Sequence, residues 1–206
     1  MTEGLAERLQ EKGVLKTPRI VQAFRAIKRE DFLSPDMRQL ANEDEALPLG
    51  LGQTISQPSV VAFMLELLGP QEGERVLDIG AGSGWTTALL AAVVGEKGRV
   101  VGIEVFPELA ELAKTNVAQY GFLEKGLVEI FCKDGAEGHT AEAPYERILV
   151  SAALPRKELP PAWKEELGPG GTLVVPIGHS LWRFEKTEDG EWKEREYPGF
   201  LFVPFL

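Results

Sequence analysis

Val76-Leu77-Asp78-Ile79 runs straight into Gly80-Ala81-Gly82-Ser83-Gly84, and a helical, largely apolar stretch follows over 84–94. A short apolar strand that breaks at a glycine turn and continues as a helix opens a βαβ unit. Parallel strands need a crossover of a dozen or more residues, usually a helix. This feature therefore commits the chain to a parallel sheet covered by helices. The alternation continues downstream. Strands are predicted over 99–105, 127–132, 146–152 and 172–177, and helices over 107–120 and 160–167.

The flanks differ from this core. Apolar positions recur at helical spacing over 5–13 and 18–29, and Thr17 before Pro18 reads as an N-cap with proline at the first helical position. Residues 34–57 read as loop, and Pro58 opens another helix that reaches Leu68. Near the end, 181–186 and 192–197 flank Glu188-Asp189-Gly190, where Asp-Gly is a hairpin turn signal. The closing run 200–206 is hydrophobic and reads as a strand docked into the sheet. The expected architecture is one α/β domain over 1–206, a Rossmann-like, doubly wound, mostly parallel sheet with an N-terminal helical cap and an antiparallel C-terminal hairpin. Residues 1–57 would supply the N-terminal helices and a loop toward substrate, and 58–206 the ligand-binding core and C-terminal strands.

Charge and composition narrow the function. The 206 residues carry 22 Lys and Arg against 32 Asp and Glu, a net charge of −10. A nucleic-acid binder presents a basic face, so nucleic acid is not expected as the main partner. One cysteine, Cys132, and two histidines, His139 and His179, are too few for a zinc cluster. No metal is expected. The polar start, MTEGLAERLQEKG, lacks the apolar core of a signal peptide. The aliphatic run 88–94 is too short to span a bilayer. These features lead to the expectation of a cytoplasmic protein without a membrane partner.

The glycine turn lies where α/β sheets bind ligands, in the crevice outside the carboxyl ends of their strands. Its glycines would let a ligand approach the backbone and would leave amide groups to bond it. A tight strand-to-helix turn without a ligand is the plainer reading. The dinucleotide fingerprint fails, because its sixth position falls on Trp85 or Thr87. No Gly-Lys-Ser/Thr follows, so the phosphate-loop pattern fails as well. Glu104 ends the second strand, where an acid can accept bonds from both ribose hydroxyls or can simply be a strand-end glutamate.

The run Asp78 to Gly84, D-x-G-x-G-x-G, resembles motif I of class I S-adenosylmethionine (SAM) methyltransferases. That class places an acid after the third strand, and Asp134-Gly135 stands there, although Asp-Gly is also a common turn. The stretch from Leu47 to Ala62, LPLGLGQTISQPSVVA, is similar to the signature of protein-L-isoaspartate O-methyltransferases. The likeness runs nearly end to end. It takes in Arg29-Glu30-Asp31-Phe32, Asp134-Gly135 with Gly138, 143–148, Ser151-Ala152-Ala153, Leu159-Pro160, 170–178 and Phe202-Val203-Pro204. The chain departs from the family pattern at Ser59, Trp85, Lys133 and Glu146, and 154–159 is slightly longer than usual.

The resemblance implies SAM as cofactor, held by Asp78, Gly80, Ala81, Gly82, Ser83, Gly84, Glu104, Val105, Asp134 and Gly135. It implies isoaspartyl-containing proteins and peptides as substrates and Ser56 as the catalytic-site residue, with Gln53, Thr54 and Ile55 shaping the pocket. Pro176, Ile177 and Gly178 would offer backbone groups to an extended peptide, or would be no more than a strand end. The nucleophile would be the free α-carboxylate of an isoaspartyl residue or the side-chain carboxylate of a D-aspartyl residue. Such groups titrate near pH 4, so no general base is needed. The ester would cyclise to a succinimide that reopens partly to normal aspartate, which is repair. Two other readings stand beside this one: a related carboxyl methyltransferase acting on a specific peptide or small metabolite, and a SAM-binding protein without catalysis.

Overall fold

In the computed structural model, which describes residues 4–206, helices α1 (Leu5–Glu11) and α2 (Pro18–Ala26) come first. A short antiparallel hairpin follows, β1 (Leu47–Gly50) and β2 (Gln53–Ile55), then helix α3 (Pro58–Leu68). The hairpin replaces part of the loop expected over 34–57. Its turn has positive φ at Gly50 (93°), Leu51 (54°) and Gly52 (73°), and two glycines make three such residues in a row tolerable. Thr17 does flank α2, but its hydroxyl donates to Glu66 Oε2 at 2.7 Å and makes no cap within the helix.

The remaining chain builds a seven-stranded sheet with the helices between its strands. In sequence these are β3 (Arg75–Ile79), α4 (Trp85–Val94), β4 (Arg99–Glu104), α5 (Pro107–Ala118), β5 (Val128–Cys132), β6 (Tyr145–Val150), α6 (Pro161–Glu166), β7 (Leu167–Ile177), β8 (Ser180–Lys186) and β9 (Trp192–Pro198). Strand order is β5-β4-β3-β6-β7-β8-β9. The first five run parallel, and β8 and β9 add antiparallel to β7. Strand β3 sends the chain first to β4 and later flanks β6 on its other side, so the order reverses there.

Strand residues alternate between two apolar layers, as the period of two requires. Val76, Val100, Leu149 and Val174 face one layer, and Leu77, Val101, Ile148 and Leu173 face the other. Both faces are covered, which is why these strands read as continuous apolar runs. The two covers are unequal. Helices α1 to α4 and the inner face of α5 fill the first. The six-residue α6, with Trp163 fully buried, and the aromatic side chain of Phe205 fill the second.

One expectation is corrected. Residues 200–206 do not join the sheet as a strand. They make one isolated parallel bridge, Ala153 with Pro204, through Ala153 N–H to Val203 O (2.8 Å) and Phe205 N–H to Ala153 O (2.9 Å). The segment turns away from β9 at Gly199 (φ 97°), where the Gly199 and Phe200 N–H groups both go to His179 O at 3.0 Å, and it passes the carboxyl ends of the strands instead.

Candidate active site

The carboxyl ends of β3, β4 and β6 border a cleft, at the place where α/β sheets hold small-molecule ligands. Its floor is the glycine turn, Gly80 to Ser83. Glu104, Val105 and Gly135 form one side, and Gln53, Thr54, Ile55 and Ser56 another. The closing residues Val203 to Leu206 complete the wall. Glu104 is the one charged side chain in that wall among the described residues.

The turn itself is tightly tied. Gly80 and Ala81 both donate their N–H to Ile103 O, at 2.8 and 3.0 Å, and Gly84 N–H goes to Ala81 O at 2.8 Å. Gly82 N–H goes to Glu104 Oε2 at 2.8 Å, while Oε1 accepts from Phe106 N–H at 3.0 Å. The expectation of a row of backbone amides left for a ligand is therefore corrected for these four residues. Their contribution to the cleft is shape. Gly80 and Gly82 have φ of 84° and 56° and lack a Cβ where the wall must stay open.

Glu104 is only 5% exposed, with its carboxylate pinned by two backbone N–H donors. Each carboxylate oxygen has a second lone pair, so it can still accept a ligand hydroxyl. A buried acid fixed in this way at the lip of a cleft fits the ribose of an adenosyl group.

Not every residue expected to hold the cofactor lines the cleft. Asp78 lies beneath the turn with no exposed surface. Its Oδ2 accepts from the Thr87 hydroxyl at 2.6 Å, and its Oδ1 is buried without a partner. Burial pushes its carboxyl up to about 7, against the opposing Thr87 hydrogen bond and with help from the Glu104 charge. Gly84 faces helix α5: a Cβ there would come within 2.9 Å of Val117 Cγ2 and 3.1 Å of Ala113 Cα. Its role is close helix packing. The Asp134 carboxylate accepts from Ala136 N–H at 2.8 Å and caps a 3-10 turn outside the cleft wall.

Pro176, Ile177 and Gly178 also stand apart from the cleft. Pro176 O accepts from Leu154 N–H, and Gly178 N–H donates to Leu154 O, both at 2.9 Å. The chain's own 153–154 segment occupies the place expected for an extended peptide, because it leaves β6 alongside the end of β7.

Ser56 lines the cleft and also a second cavity; Thr54, Ser151 and Val203 belong to both walls. Ser56 is not the cap of α3. The N-cap is Gln57, without a side-chain bond, and Asp44 Oδ1 reaches across from the loop to accept Ser59 N–H at 2.8 Å. Ser59 lines neither cavity.

Sequence reasoning did not place Phe106, Ser151 or Phe205 in the wall. Phe205 lies 5.5 Å from Trp163 in an edge-on pair, and Trp163 Nε1 donates to Gly135 O at 2.7 Å. The aromatic run 200–206 carried a signal, but its alternation reads equally well as a strand.

Comparisons with known proteins identify the family. A family model described as protein-L-isoaspartate(D-aspartate) O-methyltransferase matches residues 1–206. The chain is 43% identical to a protein-L-isoaspartate O-methyltransferase of Methanopyrus kandleri, over 99% of this chain and 90% of that one. It is 45% identical to one of Aeropyrum pernix, over 98% of this chain and 78% of that one. A solved protein-L-isoaspartate O-methyltransferase superposes with a TM-score of 0.85 at 32% identity, covering 97% of this chain and 64% of that chain. A Plasmodium falciparum structure, a putative relative in complex with S-adenosyl-L-homocysteine, gives the same TM-score of 0.85 at 21% identity, over 98% of this chain and 96% of that one, a likeness of fold.

Proposed function

The chain belongs to the protein-L-isoaspartate (D-aspartate) O-methyltransferase family, and from that premise we propose a repair reaction for it. The enzyme methylates the free carboxylate of L-isoaspartyl and D-aspartyl residues in damaged proteins and peptides. The observation that carries the reading is the cleft in which buried Glu104 and the glycine turn face the Gln53-Thr54-Ile55-Ser56 segment.

SAM, when bound, supplies an electrophilic methyl on a sulfonium. Glu104 holds its ribose, and Gly80 and Gly82 admit it close to the backbone. Ser56 donates its hydroxyl to the substrate carboxylate and aims it. No Lys, Arg or His belongs to the wall among the described residues. Val203 to Leu206 border the site. A carboxylate titrating near pH 4 is already ionised at neutral pH, so positioning is what the protein must contribute, and orientation can supply several kcal/mol.

The second cavity, which shares Thr54, Ser56, Ser151 and Val203 with the cleft, is the approach for the peptide. A cytoplasmic workplace is part of this reading. The lone Cys132 suits a reducing compartment, and no helix among the described residues is long and apolar enough to cross a membrane. So is the absence of a nucleic-acid partner, which the charge of −10 supports.

The test is methyl transfer from labelled SAM to an isoaspartyl peptide beside its normal aspartyl twin. The normal residue displaces the carboxylate by one methylene. A misplacement of about 1 Å can cost roughly a hundredfold in rate, so strong discrimination is expected. Equal rates on the two peptides would overturn the repair reading and leave the methyltransferase fold untouched.

A further inference from the structure

Arg29 is 2% exposed, although it opens a 3-10 turn, Arg29–Phe32, in the N-terminal cap. Its guanidinium reaches four backbone carbonyls. Nη1 donates to Ala41 O (3.2 Å) and Glu43 O (3.1 Å), and Nη2 donates to Glu45 O (2.7 Å) and Ser56 O (3.2 Å). The same guanidinium lies over the indole of Trp85, 5.4 Å from its centroid. Trp85 is the first residue of α4, directly after the glycine turn, and lines the cleft.

One side chain thus touches both halves of the site. On one side it holds the Ser56 backbone and the irregular segment 41–45, which carries the Asp44 cap of α3. On the other it packs on the residue that starts the cofactor helix. Three of the four carbonyls lie in a segment without a regular ladder, which is tied otherwise through Asp44, to Lys12 Nζ at 2.6 Å and to the Ser59 N–H at 2.8 Å. Burying a charge is expensive, and an apolar residue of similar volume fills a core at least as well. Only a planar fork with several donors serves carbonyls arriving from separate segments.

We propose that Arg29 is a positioning residue for methyl transfer, setting Ser56 against the glycine turn through its bonds to the Ser56 carbonyl and its stacking on Trp85. This inference rests on the methyltransferase reading above. Arg29 touches neither substrate nor cofactor and acts through Ser56. A lysine presents its three donors from a single nitrogen and cannot span the same carbonyls.

The test compares wild type, Arg29→Lys, Arg29→Gln, Ser56→Ala and the double variant Arg29→Lys/Ser56→Ala. Each is assayed on an isoaspartyl peptide well below its own melting midpoint. Arg29→Lys is expected to lower kcat by roughly ten- to a hundredfold, as misplacement of about an ångström does. Affinity for S-adenosylhomocysteine is expected to stay within about twofold, since the cofactor side of the wall keeps its own bonds. In the Ser56→Ala background the same replacement is expected to cost less than about threefold, because coupled residues do not add. Arg29→Gln removes the buried charge together with the fork and is expected to follow Arg29→Lys. A kcat within about twofold of wild type in either folded variant overturns the proposal, and so does full additivity with Ser56→Ala. If neither replacement folds, Arg29 is a core residue and the proposal fails. Absence of turnover by the wild-type chain defeats the underlying reading instead, so the two failures are told apart.

Discussion

Glu104 and Gly82 are joined by a 2.8 Å hydrogen bond from the Gly82 N–H to Oε2, across 22 residues of chain. The strand-end acid and the glycine turn are therefore a single unit. Anything that binds Glu104 finds the turn already in place, and the acid pays no entropy to become ordered.

The first prediction concerns that unit. Glu104→Ala removes an acceptor from both the Gly82 and Phe106 N–H groups as well as from the cofactor ribose. Hydrogen bonds to a charged group are worth roughly 1.5–3 kcal/mol each. Affinity for S-adenosylhomocysteine is expected to fall by about ten- to a hundredfold, with a lower melting temperature. Glu104→Gln is expected to act in the same direction, because its amide donor would face one of the two backbone donors. Titration calorimetry on the folded variants is the measurement; unchanged affinity removes the ribose role.

Ser56 is tested against Ser59. Asp44, not Ser56, caps α3, so Ser56→Ala is expected to leave the melting temperature nearly unchanged. Losing a hydrogen bond to the substrate carboxylate, worth roughly 1.5–3 kcal/mol in the transition state, is expected to lower turnover about ten- to a hundredfold. Ser59→Ala, outside both cavities, is expected to keep turnover. A Ser56→Ala enzyme with wild-type turnover would falsify the aiming role.

The two glycines at the end of the turn are expected to separate folding from binding. Both have positive φ, 56° at Gly82 and 86° at Gly84, so alanine is strained at either, by about 1–2 kcal/mol. Gly84→Ala also drives a methyl to 2.9 Å from Val117 Cγ2 and 3.1 Å from Ala113 Cα, whereas at Gly82 the nearest atom is Leu49 Cδ1 at 3.6 Å. Gly84→Ala is expected to be the more destabilised of the pair in denaturant melts. Gly82→Val, branched and placed at the cleft floor, is expected to lose cofactor affinity while still folding.

Asp78 sets a pH dependence. Its ordinary value is 3.8, and burial raises it to about 7 in the native state. Between these values the native chain holds a proton that the unfolded chain has released. Stability from this group therefore falls as pH rises from about 4 to about 7 and stays low above that. Asp78→Asn keeps an acceptor for the Thr87 hydroxyl and removes the titration. Relative to wild type it is expected to gain stability between pH 4 and 7, by up to roughly 4 kcal/mol at 1.36 kcal/mol per pH unit. Parallel urea melts across that range check this; a constant difference between the two proteins would sink it.

Much of the fold is legible in the chain because its signals are local. The apolar runs of β3, β4, β6 and β7 follow from strands buried on both faces, and the helices between them follow from apolar periodicity. The Asp78-to-Gly84 turn and Glu104 mark the ligand end of the sheet for the same reason: strand ends and glycine positions are written in neighbouring residues. Helix ends agree within a few residues, as at α4, expected over 84–94 and observed as Trp85–Val94.

What the sequence left open was decided by competition between distant groups. Thr17 is a good local cap, yet Glu66 takes its hydroxyl, and α3 takes its cap from Asp44. Pro176 and Gly178 have backbone groups suited to a peptide, yet Leu154 reaches them first. Gly84 shares a motif with Gly80 and Gly82 but faces α5 instead of the cleft. The run 200–206 has strand character, but it bridges to Ala153 and lines the cleft. Local pattern determines which backbone conformation a segment adopts. Which partner satisfies each donor and acceptor depends on what the folded chain brings nearest, and that is decided only in three dimensions.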